Sequence, residues 1–190
     1  MRMPPSIRCF IALSLSPENQ KFIGQIEKNL QKMDCSVRWI DPQNTHLTLK
    51  FLGNVLRDKI PEITAVLKKI IQNHSSFSTQ ISHIGVFPNN QHPQIIWLGL
   101  KDEEEKIKKL ALDMENAFKT LGFDKESRPF QSHITIGRVK SEKNIQKLIK
   151  KISSYSFPVS IQEFHSIILY QSTLTSSGAT HDKINEIFFK

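Results

Sequence analysis

The sequence predicts an α+β fold, and three observations carry that expectation. Strand-like and helix-like segments mix without the strict βαβ alternation of a doubly wound parallel sheet. Several connections are short enough only for antiparallel neighbours. One pattern also recurs: THLTLKFL at 45–52 is echoed by SHITIGRV at 132–139, each strand having a helix downstream, as a duplicated lobe would produce. At 190 residues the chain can hold one domain or two small, closely packed lobes with a sizeable core.

The elements follow in order. Ile7 to Leu15 reads as a buried strand, after which Ser16 and Pro17 supply an N-cap and a first-turn proline for a helix to about Lys32, with Phe22, Ile26, Leu30 and Met33 at helical spacing. Ser36 to Ile40 is a short strand, Asp41 and Pro42 make a turn, and Thr45 to Leu52 is a strand. Arg57 to His74 is an amphipathic helix carrying Ile60, Ile63, Leu67, Ile70 and Ile71 inward. Strands at Phe77 to Phe87 and Gln94 to Leu100, separated by PNNQHP, form a hairpin. A charged helix runs from Lys101 to Leu121, its stripe Ile107, Leu110, Met114, Ala117 and Leu121 closed by Gly122. A loop, GFDKESRPFQ, leads to a strand at His133 to Val139, a helix at Glu142 to Ile152, a long strand at Val159 to Tyr170 and a closing strand at Lys183 to Phe189.

The formal charge of +8, from 26 Lys and Arg against 18 Asp and Glu, attracts phosphates and so favours nucleic acid as partner. Because 20 of the 26 basic residues are Lys, a merely solvated lysine surface accounts for the excess equally well. Cys9 and Cys35 lack the CxxC spacing of a metal or redox motif, which fits a reducing cytoplasm. The N-terminal apolar run is too short and interrupted to span a membrane, and no small-residue cleavage pattern follows it.

On a strand, residues two apart project from one face, so His46 and Thr48 point one way while Leu47 and Leu49 enter a core, and His133 and Thr135 repeat the arrangement. One such pair is an ordinary strand face. Two pairs, brought together across a duplicated fold, put two imidazoles and two hydroxyls in one groove, which suits a phosphodiester. One imidazole removes a proton from the attacking oxygen, the other delivers one to the departing oxygen, and the hydroxyls bind the phosphoryl oxygens. A metal site fits less well, because no Asp or Glu lies within either motif. A serine or cysteine nucleophile lacks an elbow pattern or a neighbouring thiol. The remaining histidines, His74, His83, His92, His165 and His181, read as surface or structural groups.

HLTL at 46–49 and HITI at 133–136 resemble the paired signatures of the 2H phosphoesterase superfamily. VRWIDPQNTHLTLKFLGNV, PQIIWLGL, RPFQSHITIGRV and LYQSTLTSSGATH are similar, more closely, to the RNA 2′,3′-cyclic phosphodiesterases first described as bacterial and archaeal 2′-5′ RNA ligases, over nearly the full chain. The resemblance implies a two-lobed, pseudo-twofold α+β domain spanning residues 1–190, with antiparallel sheets lining a central cleft and helices outside. It implies metal-independent, cofactor-free hydrolysis of an RNA terminal 2′,3′-cyclic phosphate to a 2′-phosphate, with tRNA fragments among the candidate substrates, by a cytoplasmic monomer with no membrane partner. By the same resemblance His46 is the proton donor to the leaving 3′ oxygen, His133 the base that activates water, and Thr48 and Thr135 phosphate ligands; the motifs alone leave the two histidine roles interchangeable. Arg138 matches a phosphate-contacting arginine, although simple alternation sets it on the opposite face from His133 and Thr135 unless it sits at a bend after Gly137 or reaches around the edge, and it reads otherwise as a surface charge. Phe10 matches an aromatic that can stack on a base, and is equally a core phenylalanine. Arg128 either reaches the cleft mouth or orders its loop.

Ser132 stands where a proline commonly precedes the second histidine, and Gln171 where arginine is frequent, which puts one RNA contact in doubt. Two alternatives remain open at this point: reversible 2′-5′ ligation of RNA ends by the same chemistry, and a non-catalytic RNA-binding protein whose basic cleft holds phosphates.

Overall fold

Alternating apolar positions on strands and 3.6-residue periodicity on helices resolve, in a computed structural model describing residues 6–101, 105–176 and 178–190, into nine strands and four α-helices among the described residues. In chain order these are Ser6–Ser14 (β1), Pro17–Gln31 (α1), Val37–Trp39 (β2), His46–Leu56 (β3), Ile60–Ile71 (α2), Phe77–Phe87 (β4), Ile95–Lys101 (β5), Lys106–Thr120 (α3), His133–Val139 (β6), Ile145–Ser153 (α4), Ser160–Phe164 (β7), Ser166–Thr175 (β8) and Gly178–Phe188 (β9). The Ser16 hydroxyl accepts from the Asn19 N–H at 3.2 Å and Pro17 opens α1, as its sequence requires. Several boundaries differ from expectation, among them β3, which runs on to Leu56, and β9, which begins at Gly178. Arg57–Lys59 forms a separate 3₁₀ turn because Pro61 sets the start of α2. Lys101 is still paired in the sheet, opposite Gln80, so α3 begins later, and residues 102–104 of the expected helix lie outside the described residues. The expected long strand at 159–170 is broken at His165 into β7 and β8.

That break reveals the shape of the sheet. The strands form one antiparallel sheet, in order β7-β4-β5-β6-β3-β1-β8-β9 with β2 also on β6, in place of the separate sheets expected. It is continuous because β3 and β6 join through the pair Leu47 and Ile134. A single residue, His165, connects β7 at one edge to β8 near the other, and one residue cannot span a flat sheet of that width. The sheet therefore curls into a half-barrel.

One face is covered. Ile7, Cys9, Ile11 and Leu13 of β1, with Leu47 and Leu49 of β3 and Ile96 and Leu98 of β5, pack against Ile23, Leu30, Ile63, Leu67, Leu110, Met114 and Leu148 of the helices. The helices cross between the halves of the sheet: α1 and α4 contact β7 and β4, whereas α2 and α3 contact β9 and β3.

Two bulges shape β3. Cys9 and Phe10 pair with Gly53 and Phe51, and Ile11 and Ala12 with Lys50 and Thr48, so Leu52 and Leu49 are extra residues. The bulge at Leu49 turns Lys50 onto the covered face. There its ammonium, on a residue 2 % exposed, donates to Glu115 Oε1 at 2.8 Å and to the Asp124 carbonyl at 2.9 Å, tying β3 to α3 and the following loop. No helix among the described residues is long and apolar enough to cross a membrane.

Glu27 of α1 is 4 % exposed and its Oε1 is without a hydrogen-bond partner; burial first, and Asp41 second, raise its pKa to about 8. The folded chain thus holds a proton that the unfolded chain releases near 4.5, so stability falls as pH rises from about 4.5 to about 8 and then levels. At ~1.36 kcal/mol per pH unit the fall is on the order of 3 to 5 kcal/mol. Glu27→Gln is expected to match the parent in thermal unfolding at pH 4 and to exceed it by several degrees at pH 9; parallel curves at both would refute this.

Candidate active site

The pair Leu47 and Ile134 sets the centre of the site. Extending this antiparallel register by one residue each way sets His46 across from Thr135 and Thr48 across from His133. Each histidine is thus set across from the threonine of the other motif, and a local twofold runs through the pair. All four side chains are half-buried on the open face, while Leu47 and Ile134, both fully buried, hold the strands to the core.

Both imidazoles are fixed in the same way. His46 Nδ1 lies 2.9 Å from the Asn44 carbonyl oxygen and His133 Nδ1 lies 2.7 Å from that of Gln131. A carbonyl only accepts, so each Nδ1 carries a proton that it donates two residues upstream. In the neutral rings both Nε2 atoms are left with a free lone pair, and these are the atoms that can exchange protons.

Aromatic groups support each ring. Phe10 lies 4.8 Å from His46 by ring centroids, and His181 stands edge-on to His46 at 5.2 Å. Phe87 meets His133 edge-on at 5.2 Å while stacking on Trp97 at 4.8 Å. Burial, with smaller contributions from His181 and His133, pushes the His46 pKa down to about 4 against the opposing bond to Asn44, so His46 is neutral near pH 7 in the protein alone. His181 is held down too, by burial.

Phe10 is placed differently from the expectation of a base-stacking ring. At 2 % exposure, closed in by Tyr170 at 5.2 Å, His181 at 4.9 Å and His46, it offers no free face. Its position on the open face follows from β1, whose odd residues Ile7 to Leu13 take the core and whose even residues are left for the site. Phe10 pairs across β3 with Phe51, which is 54 % exposed.

Arg138 reaches the site face by a route that alternation does not foresee. Trp97 pairs with Thr135 but Ile96 with Gly137, so Ile136 is an extra residue and the bulge returns Arg138 to the face of His133 and Thr135. Gly137 is packed under β2, where a Cβ would come within 2.9 Å of Val37 Cγ1. Arg128 lies in an exposed loop with no ion pair or hydrogen bond among the described residues, and nothing draws it to either histidine. Gln171 pairs with core-facing Cys9 and so shares the covered face, where an arginine would not enter the cleft. Ser132 Oγ is buried without a partner among the described residues.

The residues sequence reasoning passed over are His181, Tyr170, Phe87 and Trp97. His181 reads in the sequence as a surface or structural group ahead of a closing strand at Lys183, whereas β9 begins at Gly178 and pairs His181 with Ser172. Of the other histidines, His74 and His165 have carboxylate partners outside the site. His74 bonds Asp113 at 2.9 Å between α2 and α3, and His165 faces Glu163 in solvent. His83 differs from the expectation of a surface or structural group: it lies over Gly99, whose other cross-strand partner is His133, and its ring meets Trp97 edge-on at 5.2 Å, whereas His92 sits in the exposed turn after β4.

Residues 15–172 match the model of the 2′-5′ RNA ligase superfamily. The chain is 34 % identical over 185 residues to an RNA 2′,3′-cyclic phosphodiesterase of Thermotoga maritima, covering 97 % of this chain and 96 % of that protein. It is 32 % identical over 184 residues to one of Methanothermobacter thermautotrophicus, covering 96 % and 98 %. Among solved structures, E. coli LigT complexed with 3′-AMP superposes with a TM-score of 0.75 at 21 % identity over 97 % of this chain and 99 % of that one. A Thermus thermophilus protein superposes with a TM-score of 0.79 at 19 % identity over 96 % and 98 %. At these identities the two superpositions speak to the fold.

Proposed function

Because the chain belongs to the 2′-5′ RNA ligase superfamily, we propose that it is an RNA 2′,3′-cyclic phosphodiesterase that opens the terminal ring at the P–O3′ bond and leaves a 2′-phosphate. The observation that carries this reading is the locked pair of imidazoles, each with Nδ1 committed to a carbonyl, Nε2 free, and a threonine across from it. Water attacks phosphorus opposite O3′, and His133 Nε2 takes the proton it loses. Negative charge builds on the non-bridging oxygens, where the Thr48 and Thr135 hydroxyls donate and Arg138 adds positive charge. The P–O3′ electrons leave on oxygen, which takes the proton of His46 Nε2. One water is consumed, and the two rings exchange protonation states before resetting through solvent. Each half of the sheet supplies one histidine, so residues 1–190 act as one catalytic domain and no second copy is needed to complete the site. Among the described residues no cluster of three or more His, Cys, Asp or Glu is arranged to hold a metal ion.

The test is an oligonucleotide ending in a 2′,3′-cyclic phosphate, incubated with a chelator, with chromatographic separation of the products. A 2′-phosphate is the expected sole product. A 3′-phosphate, or turnover only on adding a divalent cation, would overturn the reading.

For His46 to deliver a proton it must bind one in the complex, although it is neutral near pH 7 in the protein alone. The phosphodiester anion supplies the opposite charge that raises its pKa from about 4. An NMR titration of the His46 ring is expected to give a midpoint near 4 in free protein and a clear upward shift with a nucleoside 2′-monophosphate; an unmoved midpoint counts against a donor role.

A further inference from the structure

Beside the catalytic quartet the sheet sets two arginines against each other. In the β2–β6 pair Arg38 is directly opposite Arg138. Directly opposed residues in an antiparallel pair point from the same face with Cβ atoms about 4.5–5.5 Å apart, and like charges there repel. The arrangement is dictated by the neighbours: Val37 and Trp39 pack against the core, so Arg38 between them must project from the open face, and the bulge at Ile136 sends Arg138 to the same side. Both side chains are exposed, and among the described residues neither guanidinium has a carboxylate within 4.0 Å or a hydrogen-bond acceptor. Elsewhere on this chain lysines do find carboxylates, as at Lys50 with Glu115, Lys143 with Asp34 and Lys183 with Glu186. Two opposed, unneutralised arginines on the face of a reaction centre are the arrangement an anion completes, because each guanidinium presents five donors in a planar fork matched to phosphate.

We propose that Arg38, with Arg138, forms a second phosphate site that takes the phosphate on the 5′ side of the nucleoside carrying the cyclic phosphate. The inference rests on the proposed reaction, and deepens it: the preferred substrate is one bearing a 5′ phosphate, as in an RNA chain, over an isolated nucleoside 2′,3′-cyclic phosphate. The spacing suits it. Arg138 lies three residues beyond Thr135 along β6, about 10 Å or less at ~3.3 Å per residue, a gap that one nucleoside and two arginine side chains bridge. Arg138, with donors to spare, faces both phosphates, whereas Arg38, one strand further out by ~4.8 Å, faces only the second.

The test compares adenosine 2′,3′-cyclic phosphate with its 5′-phosphorylated form, which differs only by the group in question. The parent is expected to prefer the 5′-phosphorylated substrate by about tenfold or more in kcat/KM. Arg38→Ala should bring that ratio to within about twofold of unity, and lessen the slope of log kcat/KM against log salt for the 5′-phosphorylated substrate by roughly 0.7. Arg38→Lys, which keeps charge but loses the fork, should retain part of the preference. A measurement independent of turnover is the affinity for adenosine 2′,5′-bisphosphate relative to adenosine 2′-monophosphate, in which the same margin should appear and vanish with Arg38→Ala. An unchanged ratio in Arg38→Ala, or an equal fall on both substrates, overturns the second site while leaving the proposed reaction standing. Failure of the parent to turn over either substrate overturns the reaction itself.

Discussion

Replacing either His46 or His133 with alanine is expected to lower kcat/KM on a 2′,3′-cyclic phosphate by about 10²–10⁴, and replacing both should cost little more than replacing the more damaging one. The sizes follow from what each ring does, since one positioned proton transfer is typically worth that range. Near-equivalence of the double variant follows from their coupling. Once the leaving oxygen departs unprotonated, or water attacks unassisted, the remaining imidazole works on a transition state it no longer matches. Two independent binding groups would instead multiply their losses. The geometry sharpens the expectation, because Leu47 and Ile134 hold the strands from the covered face and the alanines leave both of them in place. Thermal midpoints should therefore stay near that of the parent. Steady-state kinetics with a chelator present decides it: a double variant with parental activity would place the chemistry elsewhere.

The central quartet was legible because it depends on the most regular property of a strand, its two-residue alternation, read over segments as short as HLTL and HITI. The same rule failed where the strand gained a residue. Arg138 seemed to face away because alternation was carried straight through Ile136, and the bulge there is written in no local pattern except Gly137, a residue small enough to sit under β2. Plain alternation sets Lys50 on the face of His46 and Thr48, yet the bulge at Leu49 buries it on Glu115 of a helix 65 residues away. Phe10 went the other way: the resemblance suggested a stacking face, and neighbours from β8 and β9, invisible in the sequence of β1, close over it. Long-range packing of this kind, including the His165 corner that curls the sheet, is set by which strands meet, and local propensity carries little of that information.

The two histidines are near-equivalent in register, in the bond each Nδ1 makes and in the threonine each faces, so their roles must be separated by chemistry. Their surroundings differ, since His46 is closed in by Phe10, Tyr170 and His181 and burial lowers its pKa to about 4, so a proton that it takes up from solvent beside the phosphodiester anion is readily passed to the departing oxygen. A substrate in which the bridging 3′ oxygen is replaced by sulfur isolates the donor. A ribose alkoxide needs a proton to leave, whereas a thiolate, with a conjugate-acid pKa about 8 to 9, leaves without one. With this substrate His46→Ala is expected to regain most of its loss, about 10²-fold or more relative to the oxygen substrate, while His133→Ala stays as impaired as before because water must still be activated. The reverse pattern, rescue of His133→Ala alone, would exchange the two assignments. Equal rescue of both would mean that neither ring is dedicated to the leaving group. Whichever histidine the sulfur rescues is the donor, because sulfur at that position changes the need for a proton on one side of phosphorus only.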